Sequence, residues 1–228
     1  MKLVTCKHEG SFVSGYLDGA DVIVCSEGPE AKRAILSLIE GGPEALRDWE
    51  KKGASARRIP LADVRLLAPM SHPVRDIICV GKNYRAHAAE FHGSGFDSSA
   101  DEQVPSVPVI FTKAMTSVCG PGDVVMGSLD PTGSVDYEVE LVVVIGKRAR
   151  NVPKAQAFDY VFGYTIINDV TSRELQKRHN QWVIGKGLDT FCPMGPWVAT
   201  ADEIENVESL QVATEINGEL RQKAVIRD

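Results

Sequence analysis

The run Val135-Asp136-Tyr137-Glu138-Val139-Glu140-Leu141-Val142-Val143-Val144-Ile145-Gly146 decides how this 228-residue chain folds. Its second half is apolar, β-branched and closed by a glycine, which is the composition of a strand. Side chains two apart in a strand share a face, so Glu138 and Glu140 would point the same way, roughly 7 Å apart at the backbone. Two buried like charges repel, and burial raises the cost of each. A divalent cation relieves both costs, because carboxylate oxygens are the ligands that hard cations prefer. Pairing with Lys or Arg at an exposed edge is the competing reading of the same spacing.

Working outward, a third carboxylate stands in Ile166-Ile167-Asn168-Asp169-Val170-Thr171-Ser172-Arg173. Asp169 closes an apolar run just before a polar, helix-like stretch. It is either a ligand presented at a strand end or the N-cap of that helix. Upstream, Cys79-Val80-Gly81-Lys82-Asn83-Tyr84-Arg85-Ala86-His87-Ala88-Ala89-Glu90 looks helical from Tyr84. His87 and Glu90 would then share a face, and a carboxylate that orients an imidazole makes a general base. A surface pair is the plainer alternative. Downstream, Lys186 lies between Gly185 and Gly187. The glycines permit close approach of a ligand, and the lysine could meet a carboxylate or an enolate; a solvated loop lysine is the other reading. The string is no P-loop, since the spacing and the Ser/Thr are missing.

The rest of the chain frames these segments. Leu3 to Cys6, Phe12 to Leu17 and Asp21 to Cys25 read as strands, and Pro29 opens a helix that Gly41-Gly42-Pro43 stops. A shorter helix is expected from Glu44 to Lys52. Residues 1–66 therefore form a small α/β lobe, and the proline-bearing stretch 60–73 an extended connection. From 67 to 228 the pattern is β-rich, and Asn217-Gly218 marks a two-residue hairpin. The predicted fold class is α+β. A net charge of −6 argues against nucleic acid as the main partner. No segment has the apolar length of a membrane span, and the first residues lack a secretory pattern. Five scattered cysteines without CxxC spacing fit buried thiols in a reducing cytoplasm.

Taken together and in order, four segments resemble the fumarylacetoacetate hydrolase family: Val80 to Glu90, Asp136 to Leu141, Asn168 to Arg173 and Gly185 to Phe191. The resemblance runs from about Leu67 onward. It implies a mixed β-sandwich or roll, a site for Mg²⁺ or Mn²⁺, and dimers or dimers of dimers. By carry-over Glu138, Glu140 and Asp169 are the metal ligands, and His87 with Glu90 the water-activating dyad. Lys186 would contact the substrate's oxo-acid group, with Arg173 and Gln176 as supporting polar residues. Phe111-Thr112-Lys113 also fits the family pattern, with no catalytic role assigned to Lys113. The implied reaction is hydrolytic cleavage of the carbon–carbon bond of an acylpyruvate-like diketo acid. Decarboxylation, isomerisation or hydration of a 2-oxo acid in aromatic catabolism is the alternative within the family, and a catalytically silent metal-binding scaffold the alternative outside it. Family members usually continue past Asp228 with further strands and a Thr-Gly-Thr-Pro type loop, so the sequence is expected either to be a fragment or to have that part supplied otherwise.

Overall fold

The computed structural model of the chain describes residues 1–83, 106–179 and 181–227. Three strands come first, β1 (Lys2–His8), β2 (Ser11–Asp18) and β3 (Asp21–Glu27). Helix α1 (Ala34–Gly53), β4 (Arg58–Pro60) and β5 (Arg65–Leu67) follow. Next are β6 (Ile77–Gly81), β7 (Val109–Lys113), β8 (Val118–Cys119) and β9 (Val135–Asp136). The long pair β10 (Val139–Ile145) and β11 (Val161–Asn168) leads to β12 (Thr171–Ser172), α2 (Arg173–Arg178) and α3 (Val183–Lys186). Four strands close the order: β13 (Cys192–Pro193), β14 (Val198–Thr200), β15 (Gln211–Ile216) and β16 (Glu219–Val225). The fold is α+β and strand-rich, as the patterning predicts.

One large sheet runs β10-β11-β14-β1-β2-β3-β4, with β5 also paired to β1. The strands of residues 1–66 thus share a sheet with β10 and β11 through the pairing of β1 with β14 at Lys2↔Ala199 and Leu3↔Val198. The stretch expected as an extended connection is partly strand, since β5 pairs Leu67 to Leu66 and Arg65 against Thr5, Cys6 and Lys7. The span α1 is two helices that meet at Gly41-Gly42-Pro43, so the first stops there and a second follows, as the sequence predicts. Gly42 breaks the helical backbone with φ 63° and ψ −151°, and the second helix runs to Gly53. Glycine tolerates that positive φ where a side chain would be strained.

β1 is central and buried on both faces. Leu3 joins a core with Ile35, Leu38, Met70, Phe162, Ile167, Met194 and Val198, which packs α1 against the end of the sheet that carries β10 and β11. Val4 and Cys6 join Val13, Val22 and Ile59 on the opposite side. Burying each large aliphatic side chain contributes about 1.5–3 kcal/mol, so the first strands and the later ones stabilise one another. Among the described residues no helix is long and apolar enough to cross a membrane.

Candidate active site

The antiparallel ladder of β10 and β11 runs from Val144↔Gly163 to Val139↔Asn168. A second ladder continues the same two chains, Thr171↔Asp136 and Ser172↔Val135. Between them the pairing opens, at Tyr137-Glu138 on one chain and Asp169-Val170 on the other. Two bonds still span the gap: Asp169 N–H donates to the Glu138 carbonyl at 2.6 Å, and Glu138 N–H to Asn168 Oδ1 at 3.0 Å. Register alone therefore sets Glu138 beside Asp169. Glu138 lies one residue before β10 rather than within it, and Glu140 is the second residue of that strand. All three carboxylate residues line one cavity of about 1170 Å³, together with Lys82, Gln176 and Lys186. Apolar walls come from residues such as Ile39, Met70 and Trp182.

Asp169 is 2% exposed and is not the helix cap. The N-cap of α2 is Ser172, so the capping reading of Asp169 falls. Lysines from two other elements hold its two oxygens. Lys113 Nζ, at the end of β7 and fully buried, donates to Asp169 Oδ1 at 2.6 Å, to the Val170 carbonyl at 3.0 Å and to the Lys186 carbonyl at 2.5 Å. Lys186 Nζ donates to Asp169 Oδ2 and Thr171 Oγ1, both at 2.9 Å, and to Glu138 Oε2 at 2.8 Å. It also lies over the Phe111 ring, 4.8 Å from the centroid, where a cation is attracted to the ring face. Burial works against the Lys186 charge, but Asp169 and Glu138 outweigh it and hold its pKa above the usual lysine value. Lys186 ends α3 and is 1% exposed, so the alternative reading of a solvated loop lysine falls.

Arg173 opens α2 and forks between two acids. Its Nε and Nη2 donate to Asp136 Oδ2 at 2.9 and 2.7 Å, and Nη1 lies 2.6 Å from Glu138 Oε1. Nη1 also donates to Gln176 Oε1 at 3.3 Å, one turn on, and Gln176 is 1% exposed. Gly185 explains how α2 and α3 come so close. A Cβ there would sit 2.6 Å from both Gln176 N and Ser172 O, so the glycine serves helix packing.

The charges do not cancel. Lys113, Lys186 and Arg173 face Asp136, Glu138, Glu140 and Asp169, and Glu140 is the carboxylate with no basic side chain in contact among the described residues. Burial first, then Glu138 and Asp169, push its pKa up to about 8, with Lys186 opposing. No three acidic, thiol or imidazole groups among the described residues already converge as a finished metal cage, because Lys186 Nζ bridges Glu138 and Asp169. The donor chemistry nevertheless fits a hard divalent cation: oxygen ligands on one cavity wall, with an excess negative charge that raises Glu140.

The structure brings together Glu138, Glu140, Asp169, Lys186, Arg173 and Gln176 of the expected site. His87 and Glu90 lie outside the described residues. Sequence reasoning missed how Lys113 takes part, as well as Thr171, Phe111 and Lys82. Lys113 carried no signal beyond its fit to the family pattern, and only the long-range packing shows it inside. Lys82 had one local signal, its place in Val80-Gly81-Lys82-Asn83; it is 8% exposed and adopts φ 53°.

Residues 76–228 match the family described as fumarylacetoacetate (FAA) hydrolase, C-terminal. This chain belongs to the fumarylacetoacetate hydrolase family. It is 47% identical over 186 residues to the oxaloacetate tautomerase YisK of Bacillus subtilis, covering 80% of this chain and 60% of that protein. The chain thus spans about 60% of the length of that curated relative. Among solved structures it is similar to the fumarylacetoacetate hydrolase of Exiguobacterium antarcticum, at 36% identity and TM-score 0.79 over 100% of this chain and 76% of that one. It is also similar to maleylpyruvate hydrolase of Sphingobium sp. SYK-6 in complex with manganese(II) and pyruvate, at 28% identity and TM-score 0.76, covering 100% and 78%.

Proposed function

We propose that this protein is a divalent-metal-dependent enzyme that carries out enol and enolate chemistry on small 2-oxo acids, and that keto–enol interconversion of a 2-oxo dicarboxylic acid is its first activity. The observation that carries this is the buried cluster at the ladder opening, where Glu138, Glu140 and Asp169 share a cavity with a protonated Lys186. Glu138, Glu140 and Asp169 are the proposed ligands of Mg²⁺ or Mn²⁺. The cation, when bound, supplies a Lewis acid for the carboxylate and 2-oxo oxygens of the substrate.

The chain's own groups do the rest. Lys186 keeps its proton because two carboxylates face it, and it can donate to an oxygen that gains charge as the enolate forms. Gln176 offers its amide to the substrate carboxylate, and Arg173 holds both Gln176 and Glu138 in place. Apolar walls exclude water and strengthen these interactions. In tautomerisation a proton leaves C3 and one is gained at the 2-oxo oxygen; His87, oriented by Glu90, is the proposed group that moves the C3 proton. The likeness to an oxaloacetate tautomerase supports this reading.

Hydrolysis of an acylpyruvate is the second reading. It is supported by the likeness to maleylpyruvate hydrolase and by the spacing of His87 and Glu90, which suits activation of water. A cytoplasmic setting, supported by five free cysteines, and assembly into dimers belong to the same proposal. The test follows ultraviolet absorption of the enol form of oxaloacetate, and of acylpyruvates, with Mn²⁺ present. Metal-dependent acceleration of enol loss, stopped by EDTA and by Asp169→Asn, is expected. Failure to accelerate either reaction across a panel of 2-oxo acids would leave the silent-scaffold reading standing instead.

A further inference from the structure

Among the described residues β10 is the end strand of the large sheet, with β11 along one side and no strand of that sheet along the other. The N–H and C=O of a strand residue point to one side, and successive residues alternate. Glu138 directs its carbonyl toward β11, where the Asp169 N–H donates to it. Val139 must then direct both of its backbone groups to the open side. Val139 is only 8% exposed, so unpaired groups there would carry a desolvation cost.

Gln222 of β16 meets both. Its Oε1 accepts from Val139 N–H at 2.8 Å, and its Nε2 donates to the Val139 carbonyl at 3.3 Å. A carboxamide has one donor end and one acceptor end, so a single side chain replaces the neighbouring strand at one residue. The hairpin of β15 and β16 is shaped to deliver it. Thr214 pairs with Gln222, Glu215 pairs with Leu220, and the register shifts between them. Such a bulge re-aims the adjacent side chain, and Thr214 Oγ1 donates to Gln222 Oε1 at 3.5 Å.

Val139 is the residue between Glu138 and Glu140. We propose that Gln222 is a positioning residue for that carboxylate pair, fixing the backbone between the two so that both face one divalent cation. The role rests on the metal-dependent reading above. It acts at a distance from the chemistry and contributes no ligand. Groups that orient ligands in this way typically change metal affinity by about 10–100-fold when removed.

Mn²⁺ alone is the probe, titrated into the protein and followed by the electron paramagnetic resonance of the free ion, with thermal melting recorded in parallel. Gln222→Leu should weaken Mn²⁺ binding by about tenfold or more. Gln222→Glu keeps the acceptor for Val139 N–H and loses the donor, so it should fall between Gln222→Leu and the parent, and it serves if the leucine variant fails to fold. Asn217→Val strains the hairpin turn, where Asn217 has φ 52°, but leaves the amide in place. It should lower the melting temperature while retaining Mn²⁺ affinity. The proposal is overturned if Gln222→Leu melts lower yet binds Mn²⁺ like the parent, or if Asn217→Val loses affinity to the same extent. A parent protein that binds no Mn²⁺ overturns the metal reading itself and this role with it.

Discussion

Lys113 shows how much a single buried residue decides. Its ammonium is enclosed and bonds one carboxylate oxygen and two carbonyls, tying β7 to the end of β11 and to α3. Lys113→Met leaves the Asp169 oxygen and both carbonyls buried without their donor. Removing one partner of a buried ion pair costs about 3–5 kcal/mol, and a denaturant midpoint far below that of the parent is expected. An unchanged midpoint would mean that Asp169 has other means of support. Glu140 makes the second case. Its carboxyl is pushed to about 8, against an ordinary 4.5, so in the metal-free protein it holds its proton near neutrality. The sign follows from the raised value: any stability this group lends is present below pH 4.5 and is lost as pH rises through about 8. A cation needs the ionised form. Mn²⁺ binding below pH 8 should therefore release a proton and tighten as pH rises, which calorimetry in buffers of different ionisation heat would detect. Binding heats independent of the buffer would contradict the assignment of Glu140.

At the scale of elements, what was legible in the sequence is what local periodicity encodes. The β-branched run ending at Ile145, the first three strands and the Asn217-Gly218 hairpin all appear where patterning puts them. The shared wall of Glu138, Glu140 and Asp169 was legible too, two of them from strand alternation and the third from its place at a strand end. Long-range register was not. Nothing in residues 60–73 says that Arg65 to Leu67 will pair with β1, because edge pairing depends on chain brought in from elsewhere. For the same reason Lys113 was given no catalytic role and a solvated loop stayed open for Lys186, although both ammonium groups are buried against carboxylates from other segments. The glycines beside Lys186 were read as room for a ligand, whereas Gly185 makes room for α2. Gly185→Ala puts a methyl group against backbone atoms that have no rotamer to change. A loss of about 1–3 kcal/mol is expected, with weaker turnover as Lys186 shifts. Wild-type stability in that variant would show that α2 and α3 can part without cost.

Over the whole molecule, one sheet and one core join the first strands to β10 and β11, so the wall that carries the carboxylates is braced from the amino-terminal side by α1. Lys113, Lys186 and Arg173 offset most of the charge of Asp136, Glu138, Glu140 and Asp169, leaving a net negative charge that suits a divalent cation. Family membership agrees with that arrangement, and relatives named as tautomerase and hydrolase mark the two reactions an enolate site can serve. The most direct test is a crystal of the protein grown with Mn²⁺ and measured at the manganese absorption edge. The account requires one anomalous peak in contact with carboxylate oxygens of Glu138, Glu140 and Asp169, absent from crystals of Asp169→Asn. A map with no peak there, and Lys186 still bridging Glu138 and Asp169 at saturating Mn²⁺, would contradict it.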